Sequence, residues 1–450
     1  MLSLPGMNRL GPALYRPWLD RRADRLLGDF YFPLSCAWAA ALEAGTSVDR
    51  FRQLLPFRRR PPFLERSLCR IAMLAHGYHQ SEREWEGAFF GEIDVDLQAT
   101  ARRRDRAAMA FMAGRAHLVS LRALNRLPAV RWDISGHAEV EAAHQGRLAS
   151  PARAFCLPEQ VPEVHQSLSF RTARGTEFWL RFSSPVQPVG GVVWAHVFEP
   201  LSAERPPTLI FLHGIGVEPE FTPDPGNAIV HLVERGVRVI TLEGLWHGRR
   251  RPLGSFGGER VLARAPLGFL DYFHTAALET AVLVSWARAR SRAVGVGGYS
   301  LGSMVAGLIA EVATQWPVEA RPDAALLIAH GADPPRVALE GSLMRRIGFD
   351  AALIRSGWDL ARFERWRPLV APTGTPAVDP GRIVAVLGEA DELTPPAPAL
   401  DQMRRWRVPE ANLFLCRRGH YTIAPALAFD SAPLGRFVDL LSQRAETDAR

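Results

Sequence analysis

The chain has 450 residues, 47% of them hydrophobic, and a formal charge of +7, which is enough apolar content for one large domain or two of ordinary size. All 54 of its basic side chains are arginine. With no lysine, Schiff-base chemistry, a Ser–Lys dyad and a phosphate-loop lysine are excluded, and with no run of eighteen uncharged apolar residues, no transmembrane helix is expected.

In chain order, residues 1–17 lack a basic segment followed by a continuous apolar run, so they do not read as a secretory signal; Met7 is an alternative start. Up to about residue 165 the pattern is helical. Residues 33–43 are apolar and alanine-rich, with Gly45 as a stop. Short amphipathic pieces at 52–55 and 63–76 are separated by Pro56, Pro61 and Pro62. From 99 to 127, Ala108, Phe111, Met112, Ala116, Val119, Ala123 and Leu127 recur mostly at three- and four-residue steps. That spacing predicts one long helix, closed by Pro128. This 1–165 extension is too apolar for disorder and should pack on the remainder or form a helical unit of its own.

Residues 151–162 are proline-rich, and from Leu168 the periodicity changes. Two strands joined by a turn at 188–191 come first. Apolar runs then end at Gly214, Gly244, Ser300, Gly331, Gly388 and Cys416, alternating with helices at 227–235, within 266–290, and at 301–315. Short runs of this kind predict an α/β domain over 166–441, with a mostly parallel, eight-stranded sheet buried on both faces. A last helix at 432–441 precedes a charged tail, 442–450, that should fray. Residues 333–377 exceed a plain crossover and carry Trp358, Leu360, Phe363 and Trp366. They read as a lid insertion whose aromatics either line an apolar pocket or form its own core.

Cys36, Cys69, Cys156 and Cys416 form no CxxC pair, consistent with reduced thiols in a cytoplasmic protein. The histidines lack metal-ligand spacing; His76 and His79 come nearest, without partners, so no metal is expected. Arginine clusters at 58–60, 102–104 and 249–251 are short, and a compositional bias accounts for them better than nucleic-acid binding.

The sharpest motif is Gly298-Tyr299-Ser300-Leu301-Gly302, a G-x-S-x-G between a predicted strand and helix. Glycines flank the serine because side chains there would collide as strand passes into helix. The turn lifts Oγ above the sheet, and the helix start offers backbone donors to developing negative charge.

On this motif, residues 168–441 resemble the α/β-hydrolase superfamily of esterases, lipases and peptidases. Within it they are similar to a branch named alpha/beta hydrolase domain-containing, with dienelactone-hydrolase-like and prolyl-oligopeptidase-like relatives. The resemblance implies Ser300 as nucleophile, His420 in a Gly-His turn as base, and Asp391 as the acid orienting it, with Glu389, Glu392 and Asp333 as competitors. It implies an oxyanion hole from the N–H groups of Leu301 and Ile215, with His213 holding the loop through its ring. It also places the turn at 245–252 near the site mouth, where Trp246, His247 and Arg249 are candidate substrate contacts, as is Tyr299.

These readings converge on a serine hydrolase that needs no cofactor and cleaves a small-molecule ester or lipid. It is expected to be soluble, open to contact at a membrane surface, and of unassigned oligomeric state. A lipid deacylase or acyltransferase would use the same residues, the deacylase with Arg249, Arg250 and Arg251 on an anionic headgroup. A non-catalytic binding protein on the same scaffold is the rival of a different class.

Overall fold

The computed structural model describes residues 17–91, 95–201, 204–218 and 228–447. Met7, most of the opening 1–17 segment and residue 227 of the expected 227–235 helix lie outside these.

Among the described residues, ten strands build one sheet: β1 His165–Gln166, β2 Phe170–Arg171, β3 Thr176–Ser183, β4 Val192–Glu199, β5 Thr208–Leu212, β6 Arg238–Leu242, β7 Val294–Tyr299, β8 Ala324–Ile328, β9 Ile383–Gly388 and β10 Leu413–Cys416. Their order is β1-β3-β4-β6-β5-β7-β8-β9-β10, with β2 also beside β3. Pairings from β1 to β6 are antiparallel. Those from β6 through β5 to β10 are parallel. β3 to β10 are the eight expected strands, and the two-residue β1 and β2 only extend the edge. Because β5 lies between β6 and β7, successive crossovers leave it in opposite directions, which opens a crevice at the carboxyl ends of the central strands. This is the α/β-hydrolase fold.

The continuous apolar strands make sense once both faces are seen. In β5, Ile210 and Leu212 join one buried cluster while Leu209 and Phe211 join another; the two-residue side-chain period divides one run between two cores. The first cluster includes the helices Leu267–Arg288 and Leu301–Val312, and the second includes Ala228–Glu234 and part of Ala432–Thr447.

The amino-terminal helices join the first cluster through Phe32, Trp38, Phe51, Phe111 and Phe155. They are cemented to the sheet edge where Trp85 and Phe89 meet Trp179 and Trp194. Two expectations differ in extent. The piece at 63–76 is the start of a 27-residue helix, Leu64–Phe90. The expected 99–127 helix begins as Leu97–Ala113, tightens to a 3-10 turn at Gly114–Leu118 and resumes as Val119–Leu124. Gly114 lies against the Trp38 indole, where a methyl group would stand 3.3 Å from Nε1, so this contact coincides with the break. The last helix, Ala432–Thr447, outruns its expected end, and residues 448–450 of the expected tail lie outside the described residues. Among the described residues no helix is long and apolar enough to cross a membrane.

Candidate active site

Strand β7 passes into the helix Leu301–Val312 through Ser300, whose φ of 56° is a left-handed value that costs energy for any residue but glycine. The two motif glycines permit the bend by touching. A methyl at Gly298 would meet the Gly302 carbonyl carbon at 2.4 Å, and one at Gly302 would meet the Leu212 carbonyl oxygen at 2.0 Å. The strain therefore holds one hydroxyl at the crevice where β5 and β7 end.

There the chain brings together three residues from three turns. Ser300 Oγ lies 2.8 Å from His420 Nε2, and His420 Nδ1 lies 2.8 Å from Asp391 Oδ2. All three side chains are buried. Asp391 Oδ1 accepts from the backbone N–H groups of Leu393 (2.9 Å) and Thr394 (2.7 Å). Oδ2 accepts the Thr394 hydroxyl at 2.8 Å, and that oxygen also stands 3.1 Å from His420 Nδ1. The other carboxylates weighed for this position are elsewhere. Glu389 and Glu392 are exposed beside Arg417 and Arg21, and Asp333 caps the helix Pro334–Glu340 while pairing with Arg367.

The loop expected to supply an oxyanion hole follows β5. Its Gly214 packs on Ser300, a methyl there falling 3.3 Å from the serine Cβ. Among the described residues, no acceptor takes the Leu301 N–H or the Ile215 N–H. His213 donates from Nδ1 to the Gly214 carbonyl (2.9 Å) and accepts the Gly244 N–H at Nε2 (3.1 Å). Its imidazole is therefore consumed in holding the loop.

Several expected substrate contacts are spent inside the protein. His247 is fully buried, with Nδ1 donating to the Leu245 carbonyl at 3.0 Å and its ring against His213. Tyr299 donates its hydroxyl to the His420 carbonyl at 2.5 Å, so it is a strut under the His420 turn. Arg249 is buried between Glu243 and Glu82, over the rings of Trp85 and Trp194. Arg250 pairs with Glu279 at 2.6 Å and Arg251 with Glu218 at 2.6 Å. The basic turn thus faces inward, because buried carboxylates on other elements neutralise it. The expected headgroup-binding role of Arg249, Arg250 and Arg251 is corrected accordingly. Trp246 remains half-buried, with φ of 60°.

The insertion's aromatics are core. Trp358 donates its indole N–H to the Ser135 carbonyl (2.8 Å), Phe363 and Trp366 are buried, and a cavity of about 20 Å³ lies between these last two and Phe269 and Leu270.

One group with no signal in the sequence is Asp20. The helix His420–Ala426 begins at His420 itself, and its N-cap, Gly419, has no side chain. Asp20, from the helix Pro17–Leu26, supplies the cap instead. Its Oδ1 accepts from the N–H groups of Tyr421 (2.6 Å) and Thr422 (3.0 Å), and its Oδ2 accepts the Thr422 hydroxyl at 2.6 Å. A side chain at Gly419 would strike Asp20, whose Cγ stands 2.4 Å from the added atom. Asp24 receives the Tyr421 hydroxyl at 2.8 Å. The extension also braces the loop after β5, where buried Glu218 bridges Arg115 (2.8 Å) and Arg251 (2.6 Å).

Asp20→Ala is therefore expected to release the His420 turn and lower kcat roughly 10–100-fold, since small misplacements of reacting groups cost that much, with KM nearly unchanged. Asp20→Asn, which keeps a capping oxygen, should recover most of the loss. A rise in KM at constant kcat would instead place Asp20 in substrate binding.

Burial holds His213 and His247 below the ordinary imidazole value and pushes His330 down to about 4 and His274 to about 3. The unfolded chain takes up protons near pH 6.5 where these folded imidazoles do not. Stability is therefore expected to fall as pH drops below about 6.5, by up to roughly 1.4 kcal/mol per pH unit for each imidazole still neutral in the fold. Urea midpoints at pH 7.5 and 5 measure the loss.

No protein-family model and no curated protein matches this chain. Among solved structures it is similar to acetyl xylan esterase 1 from Thermoanaerobacterium sp. JW/SL YS485, at 18% identity over 67% of this chain and 94% of that one, TM-score 0.47. It is also similar to an acetyl xylan esterase from Paenibacillus sp. R4, at 14% identity over 68% and 96%, TM-score 0.46. An S-formylglutathione hydrolase from Agrobacterium tumefaciens matches at 15% identity over 61% and 98%, TM-score 0.41. At these scores the likenesses add nothing to the site, whose chemistry rests on its own geometry.

Proposed function

We propose that the protein is a serine hydrolase that cleaves a carboxylic ester or related acyl bond through an acyl-enzyme. The observation that carries this is the unbroken Ser300–His420–Asp391 chain of hydrogen bonds at the strained turn after β7. His420 Nε2 takes the Ser300 proton as Oγ attacks the carbonyl carbon. The N–H groups of Leu301 and Ile215 receive the oxyanion. Collapse of the tetrahedral adduct expels the alcohol, which leaves with the proton from His420. Water, deprotonated by the same nitrogen, then frees the acid. Asp391 fixes the imidazole tautomer and stabilises the imidazolium. Trp246 is the remaining candidate for a substrate contact in its turn.

The dienelactone-hydrolase-like and prolyl-oligopeptidase-like branch agrees with this reaction class. A lipid substrate has less to recommend it, since the arginines suited to a headgroup are paired internally and the insertion's tryptophans are core. Acyl transfer would use the same groups and is separated from hydrolysis by product analysis. p-Nitrophenyl esters of increasing acyl length test the proposal: a burst of nitrophenol stoichiometric with enzyme, then slower turnover, is expected. Absence of turnover across the whole series would favour a binding protein on this scaffold.

A further inference from the structure

Away from the serine, a cleft of about 560 Å³ is lined by Arg147, Ser150, Arg153, Cys156 and His274, together with the turn before β4. In an arginine-rich chain, an arginine in a groove means little alone. These two differ from the buried arginines above in lacking an acid: among the described residues neither has a carboxylate within ion-pair distance, and none lines the cleft.

Arg147 is nevertheless held in place. Its Nη1 donates to His144 Nδ1 at 3.1 Å, which puts the His144 proton on Nε2, 3.2 Å from Asp271 Oδ1. His144 is almost completely buried. The buried imidazole thus orients the guanidinium, and Asp271 lies near enough to offset part of its charge without hydrogen bonding to the ring. Loss of solvent pulls Arg147 below the ordinary arginine value, as expected of a cation short of a counterion.

The second observation is His274, in the helix Leu267–Arg288. It is only 8% exposed, borders the cleft, and its Nδ1 is buried with no hydrogen-bond partner among the described residues. Folded proteins rarely leave such a group unsatisfied, because its desolvation is not repaid. Burial, with the Arg147 charge nearby, keeps this imidazole neutral, so it offers one N–H and one lone pair.

We propose that this cleft binds a compact oxyanion, the phosphate or carboxylate end of a small molecule, gripped by Arg147 and Arg153 with His274 and Ser150 as neutral donors. Guanidinium groups suit such anions because their N–H pairs match two oxygens at once. The site stands whether or not Ser300 reacts.

Cys156 is an exposed free thiol on the cleft wall, and Cys69 is an exposed thiol that does not line it. The thiolate attacks iodoacetamide and displaces iodide, and a neighbouring bound anion disfavours that thiolate and screens it. Alkylation of both cysteines is followed by peptide mass spectrometry in phosphate, acetate or chloride at constant ionic strength. Phosphate or acetate is expected to slow Cys156 saturably, to roughly one tenth of its rate at ten times the half-saturating concentration, with Cys69 unchanged. Protection by phosphate alone assigns a phosphate-bearing ligand, and by acetate alone a carboxylate. Arg153 is exposed, so Arg153→Gln spares the fold; it should raise the half-saturating concentration roughly tenfold, and Arg147→Gln at least as much. No protection beyond chloride, or equal protection in both variants, overturns the proposal.

Discussion

Ser300→Ala is expected to lower kcat for a p-nitrophenyl ester by roughly four to six orders of magnitude and to abolish labelling by a fluorophosphonate probe. The magnitude follows from the absence of a substitute nucleophile at the bend. Ser300 sits between Gly298 and Gly302, and the adjacent Tyr299 hydroxyl is bound to the His420 carbonyl. Ser303, one turn on, donates to the Ser300 carbonyl at 2.9 Å and points toward His330. The substitution removes one oxygen and its bond to His420, so the thermal midpoint should move little. Wild-type protein that resists the probe while remaining folded would falsify the acyl-enzyme mechanism. Labelling that persists in the alanine variant would transfer the nucleophile's role to another residue.

Asp391→Asn is expected to reduce kcat roughly 10⁴-fold, as when a buried carboxylate that sets an imidazole tautomer becomes an amide. The hydrogen bonds say which way the amide would turn. At Oδ1 two backbone N–H groups, from Leu393 and Thr394, demand an acceptor. The amide oxygen would settle there, leaving its NH2 to face His420 Nδ1. A donor in that place forces the ring proton onto Nε2, and Ser300 then faces an N–H in place of a lone pair. Nitrogen NMR of the ring should report this exchange of tautomers, and kcat should fall with little change in KM. Asp333→Asn, Glu389→Gln and Glu392→Gln are expected to leave kcat within a few-fold of the parent. A large loss in one of these three, with Asp391→Asn nearly as active as the parent, would reassign the acid. Thr394→Val probes the support beneath: its hydroxyl touches both Asp391 and His420, and losing it should cost roughly tenfold.

Sequence by itself was enough for the features whose physics is local. A buried strand must be a short apolar run, so the central strands from β5 to β9 were legible one by one. The serine turn could be read because two glycines must touch within five residues for strand to enter helix at all. That Ser300, Asp391 and His420 would lie together was an expectation the family resemblance supplied, and the three do meet in the folded chain.

What the tertiary structure decided involves partners far apart in the chain. Arg249, Arg250 and Arg251 look the same in sequence whether they meet solvent or Glu82, Glu243, Glu279 and Glu218. The aromatics at 358–366 have the spacing of either a pocket or a core, and only their burial distinguishes the two. Among three carboxylates within four residues, Asp391 meets the imidazole because its neighbours' N–H groups turn it inward while Glu389 and Glu392 reach solvent. Asp20 had no signal, since a cap supplied across 400 residues leaves no periodicity; its trace at the far end is one missing side chain at Gly419. Local sterics and the side-chain period are written into a handful of neighbouring residues, whereas desolvation and charge pairing depend on what the folded chain brings alongside.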